Sequence, residues 1–181
     1  MGVKLSTLSI IMGLVVAAIN LFGLVKPAQF KTMLRKLPRS LPAGYVFMLA
    51  GTAWFMGNVA TESLSDFESL KPFLFTLFIG VGVGSCFFVQ DFLAVRGLAV
   101  LMLLLANLMC DSERWNPSAW RLVIAVWAYI LVVGGIWYTV SPWRLRDFLY
   151  WATETEKRIR LGSALRFAFG LFVAFLGFTV F

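Results

Sequence analysis

The chain has 181 residues, of which 60% are hydrophobic and only 14% are charged. Soluble domains carry roughly 45–50% apolar and about 25% charged residues, so this composition excludes an ordinary soluble domain and predicts an integral membrane protein. The net charge of +7 does not indicate nucleic acid here, because Lys and Arg gather on the cytoplasmic side of membrane proteins. The absence of histidine removes the commonest metal ligand.

Six apolar segments follow one another along the chain, and each is about as long as a membrane-spanning helix needs to be. They predict a single all-α transmembrane domain, residues 1–181, with six helices arranged as three hairpins. The predicted spans are residues 5–25, 43–60, 72–89, 92–110, 117–140 and 159–181. Residues 72–110 also fit a re-entrant hairpin, and either arrangement leaves the sidedness of the other segments unchanged.

The first connector carries a basic amphipathic pattern between Pro27 and Pro38. Its apolar residues recur at the i, i+3, i+4, i+7 spacing of a helix with one apolar face, and they are Phe30, Met33, Leu34 and Leu37. Basic residues lie off this stripe, which is typical of a helix lying in the membrane interface.

The same plan recurs late in the chain, after Pro142. Leu145, Phe148 and Leu149 there take the places of Phe30, Met33 and Leu34, counted from each proline. Identities beyond the proline are few, so the sequence leaves open whether the two hairpins are a true duplication. Both connectors are predicted to offer a surface for anionic lipid or a protein partner through Lys31, Arg35, Lys36, Arg39, Arg144 and Arg146.

Small residues at i and i+4 mark two helix faces in the middle of the chain. Ala53 and Gly57 form one such pair, and Gly80 and Gly84 form a GxxxG pair. Such pairs let helix backbones approach closely in a membrane, so all four residues are predicted to pack helices. An acidic loop, residues 61–71, separates the two segments.

Two helix starts are predicted from capping residues. Asn116 is a favourable N-cap ahead of Pro117, which is favourable as a first helical residue, so the fifth span is expected to begin there. Thr153 and Glu156 have the spacing of a capping box and are expected to start the last helix.

The basic residues predict the orientation of the chain. The side that holds the loops after spans one, three and five has twelve Lys and Arg residues, and the other side has four. Both termini are therefore predicted outside, with loops 26–42 and 141–158 in the cytoplasm. This topology places Cys86 and Cys110 near opposite membrane faces, so they are predicted not to pair. Compact loops and a tail-less C-terminus favour a bacterial inner membrane.

Chemistry-bearing residues are sparse. No ionisable group lies at the centre of a predicted span, and no catalytic or cofactor-binding constellation is recognisable. The leading hypothesis is a non-catalytic accessory, scaffold or assembly subunit of a larger membrane complex. Its partner would be another membrane protein or further copies of the same chain. The alternative is a small-solute or ion transporter or channel. Its polar route would use Asn20, Asn58, Gln90, Asp91, Arg96 and Asn107. Asp91 and Arg96 could form a proton or ion gate, but a capping role for Asp91 and an Arg96 side chain reaching the lipid headgroups are the favoured interpretation.

Overall fold

The computed structural model describes residues 3–61 and 70–181, and all the secondary structure in these ranges is helical. The helices are α1 (Leu5–Val25), α2 (Pro27–Lys36), a 3₁₀ turn (Leu37–Arg39), α3 (Leu41–Thr61), α4 (Lys71–Phe88), α5 (Leu93–Glu113), α6 (Arg121–Val140), α7 (Trp143–Ala152) and α8 (Glu156–Thr179). Five of them, α1, α4, α5, α6 and α8, are long and apolar enough to cross a membrane. The chain therefore has the make-up of a multi-pass membrane protein. The acidic residues predicted in the loop, Glu62, Asp66 and Glu68, lie outside the described ranges.

Helix α3 covers the predicted second span but is not among those five. It has 21 residues, the same length as α1. Its apolar residues are interspersed with Pro42, three glycines, two threonines and Asn58, which lower its mean hydropathy. Length alone would let it span a bilayer, because 21 residues extend about 31 Å.

Both predicted helix starts are displaced, and the capping contacts explain why. Asn116 Oδ1 accepts the backbone N–H of Ser118 at 2.9 Å, so Asn116 forms a local turn and α6 begins at Arg121. The cap of α8 is Thr155, whose hydroxyl accepts the N–H of Arg158 at 3.3 Å. Thr153 instead donates to the carbonyl of Leu149, and so belongs to the end of α7.

Contacts within the chain group its residues into two compact units. The first contains Met1–Lys36, Leu105–Val133 and Arg146–Phe181, and the second contains Leu37–Leu104 and Gly134–Leu145. Helix α1 belongs to the first unit and α3 to the second, so the predicted first hairpin remains a prediction. The partner of α1 is α8, and α3 packs against α4.

Small residues bring α1 and α8 into close antiparallel contact. A Cβ added at Gly13 would lie 2.5 Å from the backbone nitrogen of Ala174, and one added at Gly170 would lie 2.8 Å from that of Ala17. Gly23, ten residues further along α1, faces Ser163, which lies earlier on α8. The two backbones touch because neither glycine carries a side chain.

An apolar core holds further segments of the first unit against this pair. It is built from Leu5, Leu8, Ala106, Met109, Ile124, Ala128 and Val173, all of which are less than a tenth exposed. Trp127 and Phe169 meet edge to face at its margin, with ring centroids 5.2 Å apart. Parts of α5 and α6 thereby join the two ends of the chain in one core.

The second unit uses a glycine that the sequence patterns did not select. Gly82 faces the side chain of Thr52 on α3, while Phe55 and Phe78 stack edge to face at 4.8 Å. The predicted packing pair Gly80 and Gly84 contacts nothing on another helix within the described residues.

The other predicted packing pair gives the same result. Ala53 is exposed, and a Cβ at Gly57 would meet no described atom within 4 Å. The i, i+4 spacing therefore does not identify the helix contacts of this unit. A role for these four residues in packing remains a prediction about contact with another chain.

We expect Gly13→Ala to lower the free energy of unfolding by about 1–3 kcal/mol, because its methyl group would overlap backbone atoms of α8. The measurement is thermal unfolding in detergent. The matched control is Gly57→Ala, which has open space at its Cβ. It should leave stability unchanged or raise it, since Ala favours helix over Gly by about 1 kcal/mol. Equal effects of the two substitutions would contradict the α1–α8 contact.

Candidate functional site

The basic connector α2 packs its apolar side into the first unit. Phe30 is 4% exposed and meets Phe22 of α1 edge to face, with ring centroids 6.1 Å apart. Leu34 is half-buried, whereas Met33 is exposed. The apolar face of the helix is therefore narrower than the predicted stripe, and it leaves the basic residues at its edge.

Arg35 of α2 binds the C-terminal end of α7. Its Nε donates to Thr153 Oγ1 at 2.9 Å, and its Nη2 donates to the carbonyl oxygens of Thr153 at 3.1 Å and Tyr150 at 3.5 Å. The guanidinium also lies 4.6 Å from the centre of the Tyr150 ring. Counted from Pro27 and Pro142, Arg35 and Tyr150 are equivalent positions of the two connectors.

The chemistry of a helix end explains why an arginine takes this place. The last carbonyls of a helix have no intrahelical N–H partner and carry the negative end of the helix dipole. A guanidinium supplies several donors in a fixed plane and can stack on an aromatic ring at the same time. Thr153, 2% exposed, satisfies its hydroxyl by donating to Leu149 and accepting from Arg35.

The turn between α7 and α8 continues the same cluster of polar contacts. Lys31 Nζ donates to the carbonyl of Glu154 at 3.4 Å. Arg158 pairs with the Glu154 carboxylate, donates to the carbonyl of Trp151 and lies 5.5 Å from the Trp151 ring centre. We call this set of residues, Lys31, Arg35, Tyr150, Trp151, Thr153, Glu154 and Arg158, the connector cluster.

A cavity of about 240 Å³ lies beside the connector cluster, between α2, α7 and the first half of α8. Its walls are mainly apolar, with Phe30, Leu149 and Ile159 among the buried ones. Two arginines, Arg158 and Arg166, also line it, as does Ser163. The Ser163 hydroxyl is buried, yet it has no hydrogen-bond partner in the described part of the chain.

Only two of the six predicted surface residues belong to this cluster. They are Lys31 and Arg35, on successive turns of α2. Arg39 lies 6.0 Å from the Phe92 ring centre in the second unit. Arg146 pairs with Asp147 at 2.8 Å, while Lys36 and Arg144 are exposed.

The residues of the predicted polar route belong to two units, Asn20 and Asn107 to the first and Asn58, Gln90, Asp91 and Arg96 to the second. Asn20 is buried, but its amide donates to the carbonyl of Val16 in its own helix. Gln90, Asp91 and Asn107 are exposed, and no ion pair joins Asp91 to Arg96 between the described residues. Arg96 differs from the others, since its Nε is buried without a hydrogen-bond partner in the described ranges.

Sequence reasoning missed the cavity and the residues that define its polar end. Thr153 was interpreted as a helix cap, and Ser163 and Gly162 carried no recognised pattern. A usable signal is the spacing of Arg158, Gly162 and Arg166, which lie four residues apart on α8. Residues at this spacing share one face of a helix, so two arginines flank a glycine without a side chain.

Replacing Arg35 by methionine should lower the free energy of unfolding by about 1.5–3 kcal/mol, the range for hydrogen bonds to charged groups. Thermal unfolding in detergent measures the change. Lys36→Met, an adjacent loss of one charge at an exposed side chain, should cost far less. Combining Arg35→Met with Thr153→Val should cost less than the sum of the single changes, because the residues share a hydrogen bond. Additive costs would contradict the hydrogen bond between Arg35 and Thr153.

No group of three or more His, Cys, Asp or Glu side chains in the described ranges is placed to hold a metal ion. Cys86 and Cys110 are both free thiols. The chain matches no family model, no curated protein and no solved structure.

Proposed function

We propose that the protein is a non-catalytic polytopic membrane protein that serves as an accessory, scaffold or assembly subunit of a larger membrane complex. The observation that carries this proposal is the open small-residue face of α4. Gly80 is exposed, and nothing on another described helix lies within 4 Å of the Cβ positions of Gly80 and Gly84. Only 11% of this candidate span is buried, against 44% of α5. A GxxxG face that is unused within the described chain suits a second transmembrane helix.

The proposed arrangement has six spans, including α3, and the Arg35 contacts support that number. Because Arg35 binds Tyr150 and Thr153, the end of α2 and the end of α7 lie on one side of the membrane. The chain between them must therefore cross the bilayer an even number of times. If α4, α5 and α6 each cross once, the count is odd unless α3 also crosses. A re-entrant 72–110 segment would require α3 in the same way.

The proposed orientation follows from the basic residues of this side. Both connectors, with Lys31, Arg35, Arg144 and Arg146, face the cytoplasm, and both termini face outside. Compact loops favour a bacterial inner membrane as the location. The membrane partner would be another protein or a second copy of this chain.

A second candidate function is transport of an ion or small solute, and Arg96 is the observation that favours it. An unsatisfied guanidinium nitrogen buried in a membrane protein is costly and usually has a functional reason. Exposed Asp91 and Gln90 at the preceding turn do not satisfy it. The scaffold proposal is preferred because Arg96 is a single residue, whereas the GxxxG face of α4 offers a whole surface that suits a second helix.

Cysteine labelling tests the six-span arrangement. In a chain with Cys86 and Cys110 replaced by serine, we expect Lys36→Cys and Arg144→Cys to react from the cytoplasmic side with a membrane-impermeant maleimide. Arg114→Cys should react from the opposite side. If α3 does not cross, Arg114→Cys will share the side of Lys36→Cys and Arg144→Cys will lie opposite. That outcome would contradict both the six spans and the contact of Arg35 with the end of α7.

Gentle extraction from the native membrane tests the subunit proposal. We expect a stoichiometric membrane partner to co-purify, and the double change Gly80→Ile, Gly84→Ile to reduce its recovery several-fold by separating the helix backbones. Val83→Ile is the matched control on the same helix, because it enlarges an exposed side chain outside the pair. A solitary wild-type protein would overturn the proposal and favour transport.

A further inference from the structure

We propose that the cavity between α2, α7 and α8 binds one anionic phospholipid, with part of an acyl chain in the cavity and the phosphate at Arg166. The proposal is independent of the subunit function, since it concerns the first unit alone. It names one defined site, whereas the basic connectors by themselves indicate only general attraction to a charged surface.

The size and walls of the cavity favour part of an extended apolar chain. Its volume, about 240 Å³, lies below the roughly 300–1,000 Å³ of pockets for compact drug-sized molecules. Phe30, Leu149 and Ile159 form a buried apolar lining. Leu161 and Leu165 line its outer edge and are 61% and 66% exposed, so the cavity opens on a face that lipid chains can reach.

Arg166 supplies the positive charge. It lies ten residues into α8, about 15 Å along the helix from Glu156. One of its terminal nitrogens, Nη1, is 3.9 Å from the Cβ position of Gly162, so the side chain runs back toward the start of the helix. Arg166 makes no hydrogen bond or ion pair within the described ranges, whereas Arg158 is already paired with Glu154. An unpaired guanidinium in a membrane span is costly, and a phosphate matches its donor geometry.

Ser163 forms part of the inner wall of the cavity, with its hydroxyl turned toward Gly23 of α1. It is 1% exposed, lines the cavity, and its hydroxyl has no partner in the described part of the chain. A buried hydroxyl without a hydrogen bond is unfavourable. Helical serines usually donate to the carbonyl four residues earlier, as Ser112 does to Leu108 at 2.8 Å. Gly23 of α1 lies directly against this oxygen, so the hydroxyl belongs to the α1–α8 contact, and the lipid contacts are assigned to Arg166 and the apolar walls.

The position of the cavity favours a lipid over an acidic peptide. It lies along α8, a candidate span, beside the exposed Leu161 and Leu165. A peptide there would bring unsatisfied backbone groups into hydrocarbon, while a lipid brings none. Lys31 and Arg35 make the neighbouring connector cluster cationic, which complements an anionic headgroup.

The test uses the full-length protein, purified in detergent and stripped of lipid, with phosphatidylglycerol or phosphatidylcholine added. Native mass spectrometry then counts the retained lipids. We expect one phosphatidylglycerol to remain on the wild type in preference to phosphatidylcholine. Arg166→Gln should weaken this binding about ten-fold, as the loss of a charged hydrogen bond predicts. Arg160→Gln, the same change at an exposed residue of α8 outside the cavity, should weaken it less than about two-fold.

Two further variants separate the parts of the site. Gly162→Leu, whose Cβ would meet only the flexible end of Arg166 at 3.9 Å, should fill part of the cavity and weaken binding although the Arg166 charge is retained. Arg166→Lys keeps the charge and should retain most of the binding, which distinguishes recognition from folding if Arg166→Gln is unstable. The proposal is overturned by equal retention of both lipids or by equal losses from Arg160→Gln and Arg166→Gln. Displacement of the lipid by inorganic phosphate, or a protein segment found in the cavity, would also overturn it.

Discussion

The contact between Arg35 and the end of α7 is the interaction on which the arrangement of the first unit depends. It joins residues 118 positions apart, and it fixes both the place of α2 and the course of the turn into α8. The guanidinium satisfies backbone carbonyls that a helix end leaves unpaired, and the Tyr150 ring covers one of its faces. The same contact supports the proposed six spans, because it places the end of α2 beside the end of α7.

The contact between Arg35 and the end of α7 also depends on the close packing of α1 against α8. Gly13 and Gly170 allow the backbones to touch, and the antiparallel register brings Gly23 beside Ser163. The end of α1 and the start of α8 are thereby held together. Helix α2 follows the end of α1 in the chain, and α7 precedes the start of α8. The cavity lies where these connections meet, so its shape depends on both the helix pair and Arg35.

The residues predict the helices better than they predict the partners of those helices. The length of the first apolar segment predicts both ends of α1 correctly. The amphipathic patterns that follow Pro27 and Pro142 predict α2 and α7 as short separate helices. Partner choice was not predictable, because a small-residue face such as Gly80 and Gly84 accepts a close neighbour without specifying which one. Thr153 and Thr155 are both suitable residue types for a helix cap, and the structure shows Thr155 capping α8 while Thr153 bonds with Leu149 and Arg35. Two of the seven residues of the connector cluster, Lys31 and Arg35, are predicted from the sequence as surface residues, whereas finding the cavity requires knowing that α8 meets α2.

The pairing of α1 with α8 also orders the events of biosynthesis. The first helix is synthesised about 130 residues before its partner, and at about 5–20 residues per second that interval is roughly 7–26 s. Throughout this time the surface that Gly13 meets in the finished protein, Gly170 and Ala174 of α8, has not yet been synthesised. The first unit therefore forms only after α8 has been inserted, and a chain stalled before Glu156 presents an unmatched glycine face in the bilayer. Such a face is a recognition feature by which membrane quality control can distinguish an incomplete chain from a finished one.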